Sequence, residues 1–117
     1  MLKLDENTRI YVADKPVDFR KAINGLSALV VEEWTKPVND GSVYVFYNAA
    51  LDRVKCLFWN KNGFVLYHKR LERGRFKMSK TADEMYPITQ NQLDWLLAGL
   101  DFKRMNEFKS LDFTHYF

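Results

Sequence analysis

Two runs of alternating residues, Arg53–Trp59 and Phe64–Leu71, flank the tetrapeptide Asn60-Lys61-Asn62-Gly63. Asn-Gly between two such runs is the strongest short-range signal for a β-hairpin, because both residues tolerate the left-handed backbone of a tight turn. Pairing across this turn sets odd residues of the first run beside even residues of the second, whether the loop holds two residues or four. One face of the hairpin then carries Val54, Cys56, Phe58, Val65, Tyr67 and Leu71, interrupted only by Lys69, and is expected to lie on the core. The other carries Arg53, Lys55, Leu57, Trp59, Phe64, Leu66, His68 and Arg70, with aromatic groups near the turn and a basic cluster at the far end.

The neighbouring segments supply the rest of a small fold. Arg9–Ala13 is β-branched and aromatic and predicts a strand, closed by Asp14-Lys15-Pro16. After Pro16, Asp18 is placed to cap a helix whose apolar stripe is Phe19, Ala22, Ile23, Leu26, Leu29, Val30 and Trp34. Gly25 interrupts that helix at about 1 kcal/mol against Ala, which suggests a close approach to the backbone. The helix should stop before Pro37, and Asn39-Asp40-Gly41 turns the chain into a strand at Val43–Tyr47. With the hairpin, that strand makes an antiparallel meander, which a further strand at Arg75–Met78 could extend. Thr89 and Gln92 form a capping box for a second helix, buried through Leu93, Leu96, Leu97 and Leu100. The expected fold is α+β: a small antiparallel β-meander packed with about two to three helices in a single domain. Residues 1–104 form that domain and residues 105–117 a C-terminal extension, read either as an added helix or as a docking segment for another chain.

Charge distribution gives the first functional clue. Nine basic residues lie between Arg53 and Lys80 against one acid, Glu72, so this segment carries +8 in a chain of net charge +3. Such asymmetry points to a polyanionic partner; the alternative is a solvated strand edge defended by Lys and Arg against aggregation. The densest stretch is Lys69-Arg70-Leu71-Glu72-Arg73-Gly74-Arg75-Phe76-Lys77, in which Gly74 permits a turn presenting Arg73 and Arg75 together. Arginine suits bidentate contact with phosphate. Candidate nucleic-acid contacts are therefore Arg53, Lys55, Lys69, Arg70, Arg73, Arg75 and Lys77. A helix covering Trp59, Phe64 and Leu66 would leave only the basic end of that face wet; otherwise the aromatics could stack bases.

Catalytic signals are sparse. His68 and His115 are the only histidines, and neither has Cys or acidic neighbours at metal-ligand spacing. Cys56, the single cysteine, falls on the core face as an inert thiol and fits a reducing cytoplasm. The charged N-terminus is no signal peptide, and no apolar run approaches the roughly 20 residues of a membrane span. The expectation is a cytoplasmic protein without cofactor, metal or membrane partner, and not an enzyme.

Three stretches together carry a family resemblance. The first, Arg9-Ile-Tyr-Val-Ala-Asp-Lys-Pro-Val-Asp-Phe-Arg20-Lys-Ala-Ile-Asn-Gly25-Leu, resembles the pattern R-I-Y-x-A-x-x-P-x-D-x-R-K-x-x-x-G-L. The second runs from Val45-Phe46-Tyr47-Asn48 through Asp52-Arg53-Val54-Lys55, Trp59 and Gly63 to Lys69-Arg70-Leu71-Glu72-Arg73-Gly74-Arg75-Phe76. The third is Ile88-Thr89 followed by Leu96-Leu97-Ala98-Gly99-Leu100-Asp101. In this order they resemble the TnpB family, the second-open-reading-frame products of insertion-sequence-sixty-six transposons, unrelated to the RNA-guided nucleases of the same name.

The resemblance implies a non-catalytic accessory role in DNA transposition, beside a large transposase that carries the chemistry and another accessory protein of the element. Transposon DNA is the expected partner; a protein adaptor that binds the transposase without touching DNA is the alternative. The family carries no established catalytic residue to transfer. Arg20 and Lys21 match its pattern and fall in the expected first helical turn, where the helix dipole disfavours positive charge. They are candidate contacts for an acidic partner. The chain departs from the pattern at Asn48-Ala49-Ala50-Leu51, where basic residues are frequent, and in the apolar-rich extension from Met105 to Phe117.

Overall fold

The computed structural model describes residues 4–78 and 84–101. In chain order the elements are β1 (Ile10–Val12), α1 (Ile23–Glu32), β2 (Val43–Tyr47), β3 (Arg53–Asn60), β4 (Gly63–Arg70), β5 (Tyr86–Ile88) and α2 (Gln90–Leu97). The strands form one five-stranded sheet in the order β4-β3-β2-β1-β5. The meander β2-β3-β4 is antiparallel as the sequence predicts, but β1 joins the same sheet parallel to β2, with α1 as the crossover between them. The sheet is therefore mixed, in a small α+β fold. Its far edge, β5, pairs antiparallel with β1. Sequence reading gives no strand there, since Tyr86-Pro87-Ile88 is short and holds a proline; an edge strand tolerates proline, whose missing N–H can face away from the ladder.

The hairpin register pairs Arg53 with Arg70, Lys55 with His68, Cys56 with Tyr67 and Asn60 with Gly63. The loop is thus two residues, Lys61 and Asn62, and Lys61 rather than Asn62 takes the left-handed conformation, at φ +57°. At the other end of β3, Asn48 builds the turn from β2. Its side-chain oxygen accepts from the backbone N–H groups of Asp52 and Arg53 at 3.1 and 3.0 Å, and its amide donates to the Asp52 carboxylate at 2.6 Å.

Both faces of this sheet are covered. On one, Trp34 at the end of α1 packs on Phe46 with ring centres 6.0 Å apart, and the Tyr44 hydroxyl donates to the Pro37 carbonyl at 2.6 Å. Trp34 also donates to Asp14 at 2.7 Å and Lys15 pairs with Glu33, tying the end of α1 to the exit of β1. On the opposite face lies α2, whose Leu93, Leu96 and Leu97 join a core with Ile10, Val12, Val45, Val54 and Cys56. All five residues of β2 are buried, the expected result for a central strand between two helical layers.

Two sequence expectations are corrected. First, α1 starts at Ile23, not beside Asp18, and its N-cap Ala22 makes no side-chain cap. The carbonyls of Phe19 and Lys21, which would open the helix, accept instead from the Lys55 ammonium at 3.0 and 2.8 Å. Asp18 caps a local turn, accepting from the Arg20 backbone N–H at 2.9 Å and pairing with the Arg20 guanidinium. Second, Arg75–Met78 is an irregular segment, anchored by the Phe76 N–H on the Leu51 carbonyl at 2.7 Å with the Phe76 ring buried. The close approach expected at Gly25 is present and comes from the preceding turn: a β-carbon there would lie 3.0 Å from that of Lys21. The capping box of α2 forms as expected, Thr89 accepting from the Gln92 N–H at 3.1 Å and Gln92 accepting from the Thr89 N–H at 2.8 Å. Residues 105–117 and Lys80 lie outside the described residues.

Candidate nucleic-acid interface

The seven basic candidates separate into two groups. Lys55, expected at the wet end of an open face, is buried with 6% of its surface exposed. Its ammonium holds the two carbonyls of the segment entering α1 and sits 4.7 Å over the Phe19 ring. Burial, then the neighbouring Arg53, pulls its pKa below the usual lysine value. Lys69 lies on the α2 face and donates to the Leu97 carbonyl at 2.7 Å, where a cation meets the negative end of the helix dipole. Both lysines join elements of the fold, so neither ammonium is presented to a ligand. The sequence shows their charge but not the backbone carbonyls that the fold brings to them.

The other five remain outward at one end of the sheet. Arg53 and Arg70 stand directly opposite each other across β3 and β4. The chain then folds back along the β2–β3 turn, with the Leu71 N–H on the Asp52 carbonyl at 2.8 Å and Phe76 on Leu51. Arg73, Arg75 and Lys77 are exposed on this returning segment, while buried Phe76 between them pins it down. Gly74 supplies the left-handed turn, at φ +79°.

Two acids lie among these cations. Asp52 is engaged by Asn48, whose hydrogen bond lowers its pKa below the ordinary carboxylate value, with Arg53 and Arg70 adding to the effect. Glu72 pairs with Arg70 at 3.1 Å while remaining largely exposed. The Arg53 guanidinium makes no hydrogen bond or ion pair among the described residues. Arg53, His68, Arg70 and Glu72 together line a shallow depression of about 380 Å³. His68, outside the expected contact set, faces it from β4 with the Phe19 ring packed edge-on, centres 5.9 Å apart. Desolvation, then Lys55, Arg53 and Arg70, pulls its pKa below the ordinary imidazole value.

The remaining sequence candidates fall elsewhere. Arg20 and Lys21 lie in the turn before α1 rather than in its first turn, so the dipole argument for their placement does not hold. Trp59 and Phe64 meet edge to face at the hairpin tip, centres 5.0 Å apart, and both are half-buried. Cys56 is fully buried, and burial pushes its thiol up to about 12. Among the described residues no group of three or more His, Cys, Asp or Glu side chains is placed to hold a metal ion, and no helix is long and apolar enough to cross a membrane.

Residues 8–107 match the family described as IS66 Orf2 like protein, TnpB_IS66. The chain belongs to this family. Membership points to an accessory role in transposition of IS66 elements. Two relatives from Sinorhizobium fredii extend the similarity. The uncharacterized protein y4jC is 35% identical over 105 residues, covering 90% of each chain. The uncharacterized protein y4hO is 30% identical over 107 residues, covering 92% of this chain and 93% of its own. No solved structure matches. In the terms of this family, its K-R-L-E-R-G-R-F stretch is the end of β4 and the returning segment, and the D-R-V-K stretch is the start of β3.

Proposed function

We propose that this IS66 Orf2-like protein is a non-catalytic cytoplasmic accessory factor that contacts DNA, or a transposase–DNA complex, through Arg53, Arg70, Arg73, Arg75 and Lys77. The observation that carries this reading is the concentration of these five cations at one end of the sheet. Arg53 and Arg70 face each other across two strands, an arrangement that like-charge repulsion disfavours until an anion lies between or above them. Arginine-rich edges of this kind hold phosphates in a fixed register and leave base recognition to other groups. The large transposase and the other accessory protein of the element are the protein partners in this reading, with Arg20 and Lys21 available to an acidic surface. Arg20 is strongly exposed, although its guanidinium is already paired with Asp18.

The test is binding to transposon-end DNA and to unrelated DNA of equal length across a salt series. Engagement of roughly four to five phosphates gives a slope of log affinity on log salt of about −3.6 to −4.5 on duplex DNA. Changing Arg70, Arg73 and Arg75 together to Ala should flatten that slope by about 2.7 if each holds one phosphate. Preference for end DNA would add sequence specificity. A flat salt response in the wild-type protein overturns the reading and leaves a protein adaptor that binds the transposase without touching DNA.

A further inference from the structure

The depression between Arg53, His68, Arg70 and Glu72 has a composition unlike the other clefts of the described fold. The cleft beside Trp34 mixes Asp14, Lys15, Glu33, Lys36 and Glu84, and the one beside Asp40 mixes Asp5 with Arg9. Here two adjacent cross-strand pairs, Arg53 with Arg70 and Lys55 with His68, put four basic side chains on one face of the hairpin. Lys55 is fixed below by the segment entering α1, and the Phe19 ring of the same segment supports the imidazole. Arg53, Arg70 and His68 remain to face a ligand.

From this arrangement we propose that Arg53, Arg70 and His68 form a seat for one phosphate group, and that the Glu72 carboxylate is a tethered competitor for it. The proposal deepens the DNA-contact reading and rests on it for the natural source of the phosphate. In the free protein the Glu72 carboxylate pairs with Arg70 at 3.1 Å, so a carboxylate already occupies one side of the seat. Arg53, opposite, is without such a partner among the described residues. An incoming phosphate can take bidentate contacts from both guanidiniums, which a single carboxylate two residues from Arg70 does not satisfy. Among the described residues, the charged groups facing His68 are Lys55, Arg53 and Arg70 on the hairpin and Glu72 at its end, and the Phe19 ring packs on it from the segment entering α1. A phosphate in the seat therefore favours the protonated imidazole, which then donates to it. The ligand is a phosphate ester, either a backbone phosphodiester or a terminal monoester of DNA.

The decisive measurement compares wild type, Glu72→Gln, Glu84→Gln and Glu72→Gln combined with Arg53→Gln and Arg70→Gln. Each is tested on a short duplex with and without 5′-phosphates at one salt concentration. Glu84 lies by the opposite edge of the sheet and controls for the bare change of charge. Releasing Arg70 in Glu72→Gln should tighten binding about two- to fivefold, the scale of an exposed ion pair. Glu84→Gln should change it by less than about 1.5-fold, because salt screens a charge so far away. The Glu72→Gln gain should vanish when Arg53 and Arg70 are replaced. Dependence on the 5′-phosphate assigns a terminal monoester, and independence a backbone phosphodiester. If Glu72→Gln and Glu84→Gln behave alike, the seat is overturned while salt-dependent DNA binding stands. If no form binds DNA, the DNA-contact reading falls, and inorganic phosphate decides the seat. A rise in the His68 pKa on adding phosphate, seen by NMR and lost in Arg53→Gln, retains it, whereas no change overturns it.

Discussion

At the scale of single residues, the lysines that look most like ligand groups include two that hold the fold together. Lys55 is the clearer case, since its ammonium satisfies two carbonyls that would otherwise have opened α1. Lys55→Met keeps most of the apolar stem but leaves both carbonyls without that donor, so it should destabilise the domain by about 1–3 kcal/mol. Chemical unfolding would show this; unchanged stability would mean that the carbonyls find another donor. His68 makes the opposite kind of contribution. Its pKa lies below 6.5 in the folded protein, so the unfolded chain binds the extra proton as pH falls. Its contribution to stability is complete above the unfolded value and is lost as pH drops through the folded one. Unfolding measured at pH 7.5 and 5.5 should therefore show a loss toward acid that shrinks in His68→Gln. Asp18, held down to about 2 by its hydrogen bonds with Arg20, titrates well below that window.

Among the elements, α2 shows how sequence-local and tertiary interactions divide one helix between them. Its start is fixed by Thr89 and Gln92, three residues apart, and the reciprocal hydrogen bonds form as the spacing requires. Its end is held by Lys69 from β4, far away in sequence. Thr89→Ala removes the acceptor for the Gln92 N–H and should cost about 1 kcal/mol of stability. A Thr89→Ser variant should recover most of that loss, and equal destabilisation by both substitutions would argue against the cap. In α1 the balance is reversed. Asp18 is a good capping residue, yet the contact between Lys55 and the preceding carbonyls delays the helix to Ile23. The left-handed backbone of Thr35, at φ +54°, then turns the chain toward β2, with the Lys36 N–H on the Val30 carbonyl at 3.0 Å.

Over the whole molecule, the two helices leave the sheet unequally protected from centre to edge. β2 is paired on both sides and buried throughout, whereas β4 is an edge strand with no fully buried residue and with Val65, His68 and Arg70 exposed. Amide exchange should be slowest in Tyr44–Tyr47, approaching the global unfolding limit, and faster in the outward-facing amides of β4. Exchange in β2 as fast as in β4 would contradict the placement of β2 at the centre. The same asymmetry puts charge away from the core: Arg53, Arg70 and the returning segment crowd one end of the β3–β4 hairpin.

The sequence by itself determined the hairpin, its register, the α2 cap and the family, because each depends on residues a few positions apart or on an ordered string of motifs. The parallel pairing of β1 with β2, the start of α1 and the fates of Lys55 and Lys69 were decided only by the tertiary structure. Each depends on a backbone carbonyl or strand brought into reach from a distant part of the chain. Alternation along a strand tells which side chains share a face, but not which other segment of the chain will lie against it.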